Sequence, residues 1–216
     1  MAPVRSTRVS HPHTFPGRVL RRRDLDPDPL VQIRVWLAEA IRADSADPRA
    51  MTLATTGRDG TPAARTVTLK AVDDRGLLFT SRTDSEKARE MQETSAVALV
   101  LYWPDQGRQV RVAGTAEPVP ADESARLLED RSRSARLALL AFPQGQPIPD
   151  RAALDRRVAD LDRQFGEHEL PVPLWGGFVV RPHTVECWQG QTSRLHDRFL
   201  YRRSGETLWT IDRLAP

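Results

Sequence analysis

The side chains with the most evident chemical potential lie near the C-terminus, in the stretch SRLHDRFLYRR at residues 193–203. Arg194, His196 and Arg198 recur there at a spacing of two. Because a strand turns every second side chain to one face, a strand here would align the three as one row of hydrogen-bond donors. Such a row suits an anion or an electron-rich ring. It equally suits a solvated sheet edge whose charges discourage aggregation, so the local pattern leaves both interpretations open.

A second pair of cations, Arg65 and Lys70, lies in the stretch RTVTLK. Their odd separation places them on opposite faces of a regular strand, so one ligand meets both only at a bend or a β-bulge. The alternative is a pair of surface cations whose aliphatic stems lie along the sheet.

The segment TDSEK, residues 83–87, is typical of a helix start. The free backbone N–H groups of a first turn, the Ser85 hydroxyl and the Lys87 ammonium together suit a phosphate. Asp84 and Glu86 favour another interpretation, an ordinary capped helix, because they already provide the negative charge that this end of a helix prefers.

Two further side chains suit a flat ring. Gln109 alternates with the apolar Val110 and Val112, so it faces away from the core and binds either a heterocycle or water. Trp188 either stacks on a ring or packs in a core or interface. The sequence contains no Ser-His-Asp arrangement, nucleophile elbow or H-E-x-x-H motif. Cations, amides and an aromatic ring without a nucleophile favour binding of an anionic, flat cofactor that carries the chemistry itself.

Composition narrows the class of protein. Hydrophobic residues make up 39% and charged residues 28% of the 216 positions, as in ordinary globular proteins. No segment reaches the roughly 20 apolar residues of a membrane span, and the N-terminus has no secretory h-region. The single cysteine, Cys187, allows no internal disulfide and fits a reducing cytoplasm, and no Cys/His cluster has zinc-site spacing. Acidic residues interleave the many arginines, which disfavours nucleic acid as a partner.

The elements that must position these residues follow from periodicity. Residues 1–24 read as a flexible arm and residues 25–216 as one domain. Asp28 is a helix cap before Pro29, and further helical patterns occupy about 121–140 and 150–165. The apolar run AVALVLYW suits a buried strand, and seven or eight strands follow one another in hairpin-like succession. This order predicts an α+β fold built on an antiparallel sheet or barrel.

Several motifs in one order make the chain resemble a known family. They are LRRRDL-x-x-DP, R-x-V-x-LK, the S-x-K helix start, GRQV-x-V-x-G, PLWGGF, WQG, RLHDRF and the closing IDRLAP, over about residues 20–216. The chain resembles the pyridoxine (pyridoxamine) 5′-phosphate oxidases, FMN-binding split β-barrel proteins whose relatives include the oxidases of phenazine biosynthesis. The resemblance implies an antiparallel split barrel with flanking helices, and a homodimer with FMN at its interface.

The resemblance also implies roles for individual residues. The cofactor-binding positions are Arg65, Lys70, Thr80, Ser81, Ser85, Lys87, Gln109, Gln144, Trp188 and Arg198. The substrate-binding positions are Lys70, Leu127, Arg131, Ala135, Arg194 and His196, of which Arg194 and His196 are the catalytic candidates.

The chain also departs from the family's pattern. Leu127 and Ala135 stand where the phosphate oxidases usually carry a tyrosine and a serine, and Glu86 stands where an arginine supports the FMN phosphate. Gly145 replaces a further serine, and Phe15 lies near the place of an arm tyrosine. Loss of the two hydroxyls weakens recognition of a substrate phosphate and opens an apolar pocket for a larger ring.

The implied reaction is hydride transfer from substrate to flavin, with O2 as the final acceptor and H2O2 as a product. The departures favour a reduced aromatic or heterocyclic biosynthetic intermediate, such as a dihydrophenazine, as the substrate. The alternatives are pyridoxamine or pyridoxine 5′-phosphate, oxidised to pyridoxal 5′-phosphate, and a flavin-binding protein without catalysis.

Overall fold

The computed structural model describes residues 18–129, 131–171, 174–205 and 208–216. The five helices within those ranges are α1 Pro29–Arg42, α2 Glu86–Glu93, α3 Ala121–Glu129, α4 Arg133–Ala141 and α5 Arg151–Phe165. The strands are β1 Ala50–Thr56, β2 Pro62–Val72, β3 Leu77–Arg82, β4 Ala96–Trp103, β5 Arg108–Pro118, β6 Trp175–Gln189, β7 Asp197–Arg203 and β8 Trp209–Leu214. Short 3₁₀ helices occupy Arg22–Asp24 and Pro104–Gln106.

The eight strands form one antiparallel sheet in the order β3-β2-β1-β4-β5-β6-β7-β8. Strand β3 also pairs with β6, which closes the first six strands of that order into a barrel. Strands β7 and β8 continue outward from β6. The predicted α+β fold with an antiparallel split barrel and flanking helices is confirmed.

Strand β4 shows how the barrel uses its apolar residues. Its side chains alternate, with Val97, Leu99 and Leu101 in the core and Ala98 and Tyr102 exposed. The run AVALVLYW is therefore buried on one face only, and not on both as its composition suggests. A barrel strand has a single inward face, so the outward face of β4 remains an exposed apolar surface in the single chain.

The N-terminal helix begins where its capping residues predict. The Asp28 carboxylate accepts a hydrogen bond from the Leu30 backbone N–H, and Pro29 takes the first helical position. Upstream, Leu20 and Leu25 are buried in the main core. Residues 1–17, including Phe15, lie outside the described residues, so the arm boundary at residue 24 stays a prediction.

The helical pattern predicted for residues 121–140 forms two helices and not one. Helix α3 ends at Glu129, and the Ser132 hydroxyl accepts a hydrogen bond from the Ala135 N–H to start α4. Helices α4 and α5 pack together through Leu137, Ala141 and Leu161. None of the helices in the described ranges has the length and apolar character needed to cross a membrane.

Candidate active site

A cavity of about 730 Å³ lies beside strands β2 and β3, the start of α2, and α4. Its walls contain six of the ten positions predicted to bind the cofactor: Arg65, Thr80, Ser81, Ser85, Lys87 and Gln144. They also contain two of the predicted substrate positions, Arg131 and Ala135. Residues from 65 to 144 thus meet at one place because β2, β3 and the α2 start adjoin in the barrel while α4 covers them.

Lys87 is a buried, hydrogen-bonded donor of this cavity. Its side chain is buried, and its Nζ donates to Ser81 Oγ at 3.3 Å and to Gln144 Oε1 at 3.1 Å. Ser81 Oγ lies 3.3 Å from Ser85 Oγ, which continues the chain of polar groups. Burial lowers the pKa of Lys87, and the positive charge of Arg65 lowers it further. An anion in the cavity would offset both effects, since it stabilises the charged ammonium.

Arg65 lines the cavity, and its guanidinium is fixed by hydrogen bonds to Glu90 and Thr55. It donates to Glu90 Oε2 at 3.0 Å and to the Thr55 hydroxyl, and that hydroxyl donates to the same carboxylate at 2.5 Å. Glu90 and Thr55 are both buried, and the sequence analysis identified neither of them. Glu90 follows Lys87 by three residues on α2, so helical spacing is the one sequence signal that brings it to this site.

The start of α2 is not the ordinary capped helix that Asp84 and Glu86 suggested. The Asp84 carboxylate accepts from Arg82 at 2.7 and 2.6 Å, which lowers the pKa of Asp84 and neutralises its charge locally. Ser85 occupies the cap position, yet its hydroxyl donates to the Arg82 carbonyl at 2.8 Å and caps no backbone N–H. The helix start therefore remains available to an anion, although Glu86 also lines the cavity.

Lys70 lies at an irregularity of β2. The register between β2 and β3 shifts between Leu69 and Ala71, so the bulge required for Arg65 and Lys70 to share a ligand is present. Lys70 nevertheless does not line the cavity in the single chain. Its assignments to cofactor and substrate stay predictions.

Three other predicted cofactor residues form a second group across the sheet. Gln109 on β5 pairs with Trp188 on β6, which pairs with Arg198 on β7, so the three side chains share one face. Arg198 Nε donates to Glu186 Oε1 at 2.8 Å and lines a separate cavity of about 360 Å³. The exposed β4 residue Ala98 lines that cavity as well. Nine of the ten predicted cofactor positions thus fall into two groups on one chain, with Lys70 outside both.

The predicted row of Arg194, His196 and Arg198 does not form, because β7 begins only at Asp197. Arg194 lies in a turn with a φ of 62°, which ends the alternation that a strand would impose. His196 stays near the second group, with its ring centroid 4.9 Å from that of Trp188. Its Nδ1 accepts the Gln191 N–H at 3.0 Å, which places the proton of a neutral ring on Nε2.

The two remaining substrate positions separate. Arg131 lines the main cavity beside Ala135, with its guanidinium carbon 3.9 Å from the ring centroid of Trp175. Leu127 packs into a small apolar cluster with Leu78, Val119 and Val179, and does not line the cavity. The idea that Leu127 widens the pocket for a larger ring therefore has no support in this geometry.

Comparison with known proteins places this site in a family. The family model described as pyridoxamine 5′-phosphate oxidase matches residues 37–165, and that described as the pyridoxine 5′-phosphate oxidase C-terminal dimerisation region matches residues 175–216. The pyridoxine/pyridoxamine 5′-phosphate oxidase of Salinibacter ruber is 44% identical over 200 residues, which are 91% of this chain and 93% of that protein. The enzyme of the same name from Rubrobacter xylanophilus is 45% identical over 192 residues, 88% of each chain.

Solved structures agree. The structure of PhzG from Burkholderia lata, in complex with tetrahydrophenazine-1-carboxylic acid, superposes with a TM-score of 0.85. It is 32% identical in sequence and covers 93% of this chain and 99% of its own. An FMN-binding protein from Nostoc punctiforme shares the fold, with a TM-score of 0.64 over 85% of this chain and 96% of its own at 24% identity. The chain therefore belongs to the pyridoxamine 5′-phosphate oxidase family, whose members are FMN-dependent oxidoreductases.

Proposed function

We propose that this protein binds FMN with its phosphate in the main cavity and oxidises a small anionic substrate, with O2 as the final electron acceptor. The observation that carries the proposal is the meeting of six predicted cofactor positions and two predicted substrate positions in that one cavity. FMN, when bound, would supply the redox chemistry, namely uptake of a hydride from the substrate and transfer of two electrons to O2 to give H2O2.

The residues present fit an FMN phosphate. Lys87 and Arg65 offer positive charge, and the Ser81 and Ser85 hydroxyls and the start of α2 offer further donors. Arg65 is held by Glu90, and Lys87 by uncharged partners, so both side chains are positioned before a ligand arrives. Among the described residues, Glu86 is the one acidic side chain on the cavity wall, and it is exposed to solvent. The cavity volume also lies within the range of about 300–1,000 Å³ that small-molecule sites usually have.

The two separate groups of cofactor positions support a homodimer with shared sites. In this arrangement the main cavity of one subunit holds the phosphate, and the group of Gln109, Trp188 and Arg198 from its partner completes the flavin site. The second group adjoins the exposed apolar face of β4, which is the kind of surface that a subunit interface covers. The match of residues 175–216 to a dimerisation region gives independent support.

The substrate best supported is pyridoxamine or pyridoxine 5′-phosphate. Relatives that are 44% and 45% identical carry that name, and Arg131 keeps a cationic group on the cavity wall for the substrate phosphate. A reduced tricyclic carboxylic acid is the second candidate. The apolar wall formed by Ala135, Ala138, Leu139 and Phe142 favours it, as does the similarity to PhzG.

With either substrate, the residues near the reacting atoms would position the substrate and stabilise charge. Arg194 would orient the substrate, and the His196 Nε2–H would donate a hydrogen bond to a substrate heteroatom. The cationic side chains would also favour negative charge on the reduced flavin, because a preorganised positive field stabilises charge that develops during the reaction.

A mixed-dimer experiment tests the shared site. Lys87→Met damages the first group and Arg198→Ala the second, so each variant alone should bind FMN weakly. Unfolding the two variants together and refolding them should restore tight FMN binding at about a quarter of all sites, because half of the dimers are mixed and each mixed dimer has one intact site. No recovery, with mixed dimers demonstrated by differential tags, would show that both groups contact the same FMN from within one subunit, and not across the interface.

A further inference from the structure

The wall of the main cavity contains a stacked pair, Arg131 and Trp175, of which the proposed function gives a role only to Arg131. The Arg131 guanidinium lies over the face of Trp175, 3.9 Å from its ring centroid, and both residues line the cavity. A guanidinium at this distance is attracted by the negative face of an indole, and the attraction strengthens where water is excluded. Trp175 therefore fixes the direction in which Arg131 presents its donors.

The fold builds this pair through the residues that follow Trp175 on β6. Gly177 lies on the same face of the strand as Trp175 and donates its N–H to Ser124 Oγ of α3 at 3.0 Å. A Cβ at Gly177 would lie 2.8 Å from Leu127 Cδ1 and 2.6 Å from Val119 Cγ2, so the missing side chain lets α3 approach β6. Leu127 lies against Gly177, and Arg131, four residues later in the sequence, lies over the ring of Trp175.

Both members of the pair have unused hydrogen-bond donors. Arg131 Nε and Trp175 Nε1 are buried atoms without a hydrogen-bond partner among the described residues. Within the same ranges, Arg65 and Arg82 of this cavity pair with Glu90 and Asp84, whereas Arg131 forms no ion pair. A buried donor without a partner carries a free-energy cost that a ligand acceptor removes. An anionic group with more than one oxygen has enough acceptors to satisfy both donors at once.

We propose that Trp175 is a substrate-binding and specificity-determining residue: its ring face holds Arg131 in place, and its indole N–H donates to the anionic group of the substrate. The chemistry it recognises is a phosphate monoester or a carboxylate on a flat ring. The inference rests on the proposed function only in placing the substrate in this cavity, and it assigns to Trp175 a contact that is separate from FMN binding.

The test is calorimetric binding, to the FMN-loaded protein, of ligands that do not reduce the flavin. Pyridoxal 5′-phosphate against pyridoxal reports recognition of the phosphate, because the aldehyde is common to both ligands, and phenazine-1-carboxylate against phenazine reports recognition of a carboxylate. Trp175→Phe keeps an aromatic face but removes the N–H, and Trp175→Leu removes both. The matched control is Trp209→Phe, because Trp209 also stacks on an arginine, with a 5.0 Å separation from Arg203, but does not line the cavity.

In Trp175→Phe the anionic member of the preferred pair should bind about tenfold more weakly, as expected for a lost hydrogen bond to a charged acceptor. Trp175→Leu should weaken it about tenfold further, because the stack is lost as well. The uncharged members, the affinity for FMN and the Trp209→Phe control should change by less than about twofold.

Three results would overturn the proposal, and each is distinguishable from failure of the proposed function. One is wild-type affinity of Trp175→Phe for the anionic ligand. Another is equal weakening of the anionic and uncharged ligands, which would indicate a packing role alone. The third is a wild-type protein that prefers neither anion over its uncharged analogue. FMN binding and flavin reduction by a substrate would stand in all three cases, whereas loss of either in the wild type would contradict the proposed function itself.

Discussion

Replacement of Lys87 by methionine separates the contribution of this residue to FMN binding from its contribution to stability. The substitution keeps the length and apolar stem of the side chain and removes the ammonium group. That ammonium is buried, and within the described part of the chain its hydrogen-bond partners are two uncharged groups, Ser81 Oγ and Gln144 Oε1. Burial lowers its pKa, which means that the folded protein disfavours its charge. The apo protein should therefore tolerate Lys87→Met, while FMN should not.

The magnitudes follow from the surroundings of the side chain. Lys87 is 8% exposed, so the attraction of about 1 kcal/mol between unit charges 4 Å apart in bulk water understates its interaction with a phosphate. A hydrogen bond between charged partners contributes roughly 1.5–3 kcal/mol, and we expect the loss of about 2–3 kcal/mol here. FMN affinity should fall about 30- to 150-fold, at a factor of ten for each 1.4 kcal/mol. The free energy of unfolding of the apo protein should stay within about 1 kcal/mol of wild type, because the lost hydrogen bonds and the relieved burial of charge oppose each other.

The assay is titration of apoprotein with FMN, monitored by quenching of flavin fluorescence, together with urea unfolding of the apo forms. Arg89→Met is the matched control, since Arg89 lies on the same helix but donates to the Asp84 carbonyl at 2.8 Å and does not line the cavity. It should bind FMN within about threefold of wild type. FMN affinity of Lys87→Met within threefold of wild type would refute the placement of the phosphate. An equal loss in Arg89→Met would show that the general field of the protein matters, and not the local contact.

Three more predictions follow from the same geometry. FMN affinity should weaken as the pH rises through the lowered pKa of Lys87 towards the ordinary value of 10.5. The apo protein should gain stability in the same pH window, because its unfolded state binds more protons than its folded state. Titrations at several pH values should show both trends in wild type and neither in Lys87→Met. Gly177→Ala should destabilise the protein by about 1–3 kcal/mol in urea unfolding, since its Cβ would meet Leu127 and Val119 at less than 3 Å. Gly57→Ala is the control and should cost less, because its Cβ would come no closer than 3.1 Å to the Asp59 side chain. Cys187 is fully buried and burial strongly raises the pKa of its thiol, so a thiol reagent should label it only after unfolding, and rapid labelling of the native protein would contradict its place in the core.

The sequence signals for the residues that line the main cavity are mostly local. Residues 83–87 contain a recognisable helix-start pattern, and in the folded chain Ser85 and Lys87 of that segment line the cavity. The hairpin succession likewise predicts the antiparallel barrel, since each turn is encoded in the few residues that form it. The sequence does not predict the bulge beside Lys70 and indicates only that Arg65 and Lys70 need one to share a ligand, because strand register is set by the partner strand.

Other features depend on contacts between distant segments and have no local signal. Glu90 and Arg82 hold parts of the site through tertiary contacts, and neither belongs to a motif that marks it as functional. The row of Arg194 to Arg198 fails because the chain turns at residue 194, which a spacing of two does not reveal. Leu127 is drawn into an apolar cluster because Gly177 admits α3, a consequence of packing that only the folded chain displays.

The most direct test of the account is anaerobic mixing of the FMN-loaded protein with pyridoxamine 5′-phosphate in a stopped-flow spectrometer. The account predicts rapid loss of the visible absorbance of oxidised flavin, with one substrate consumed per flavin, and recovery of the absorbance with release of H2O2 when O2 is admitted. If a reduced phenazine carboxylic acid bleaches the flavin and pyridoxamine 5′-phosphate does not, the second candidate substrate replaces the first. A protein that holds FMN at full occupancy yet is bleached by neither donor would contradict the claim that this cavity serves an oxidase.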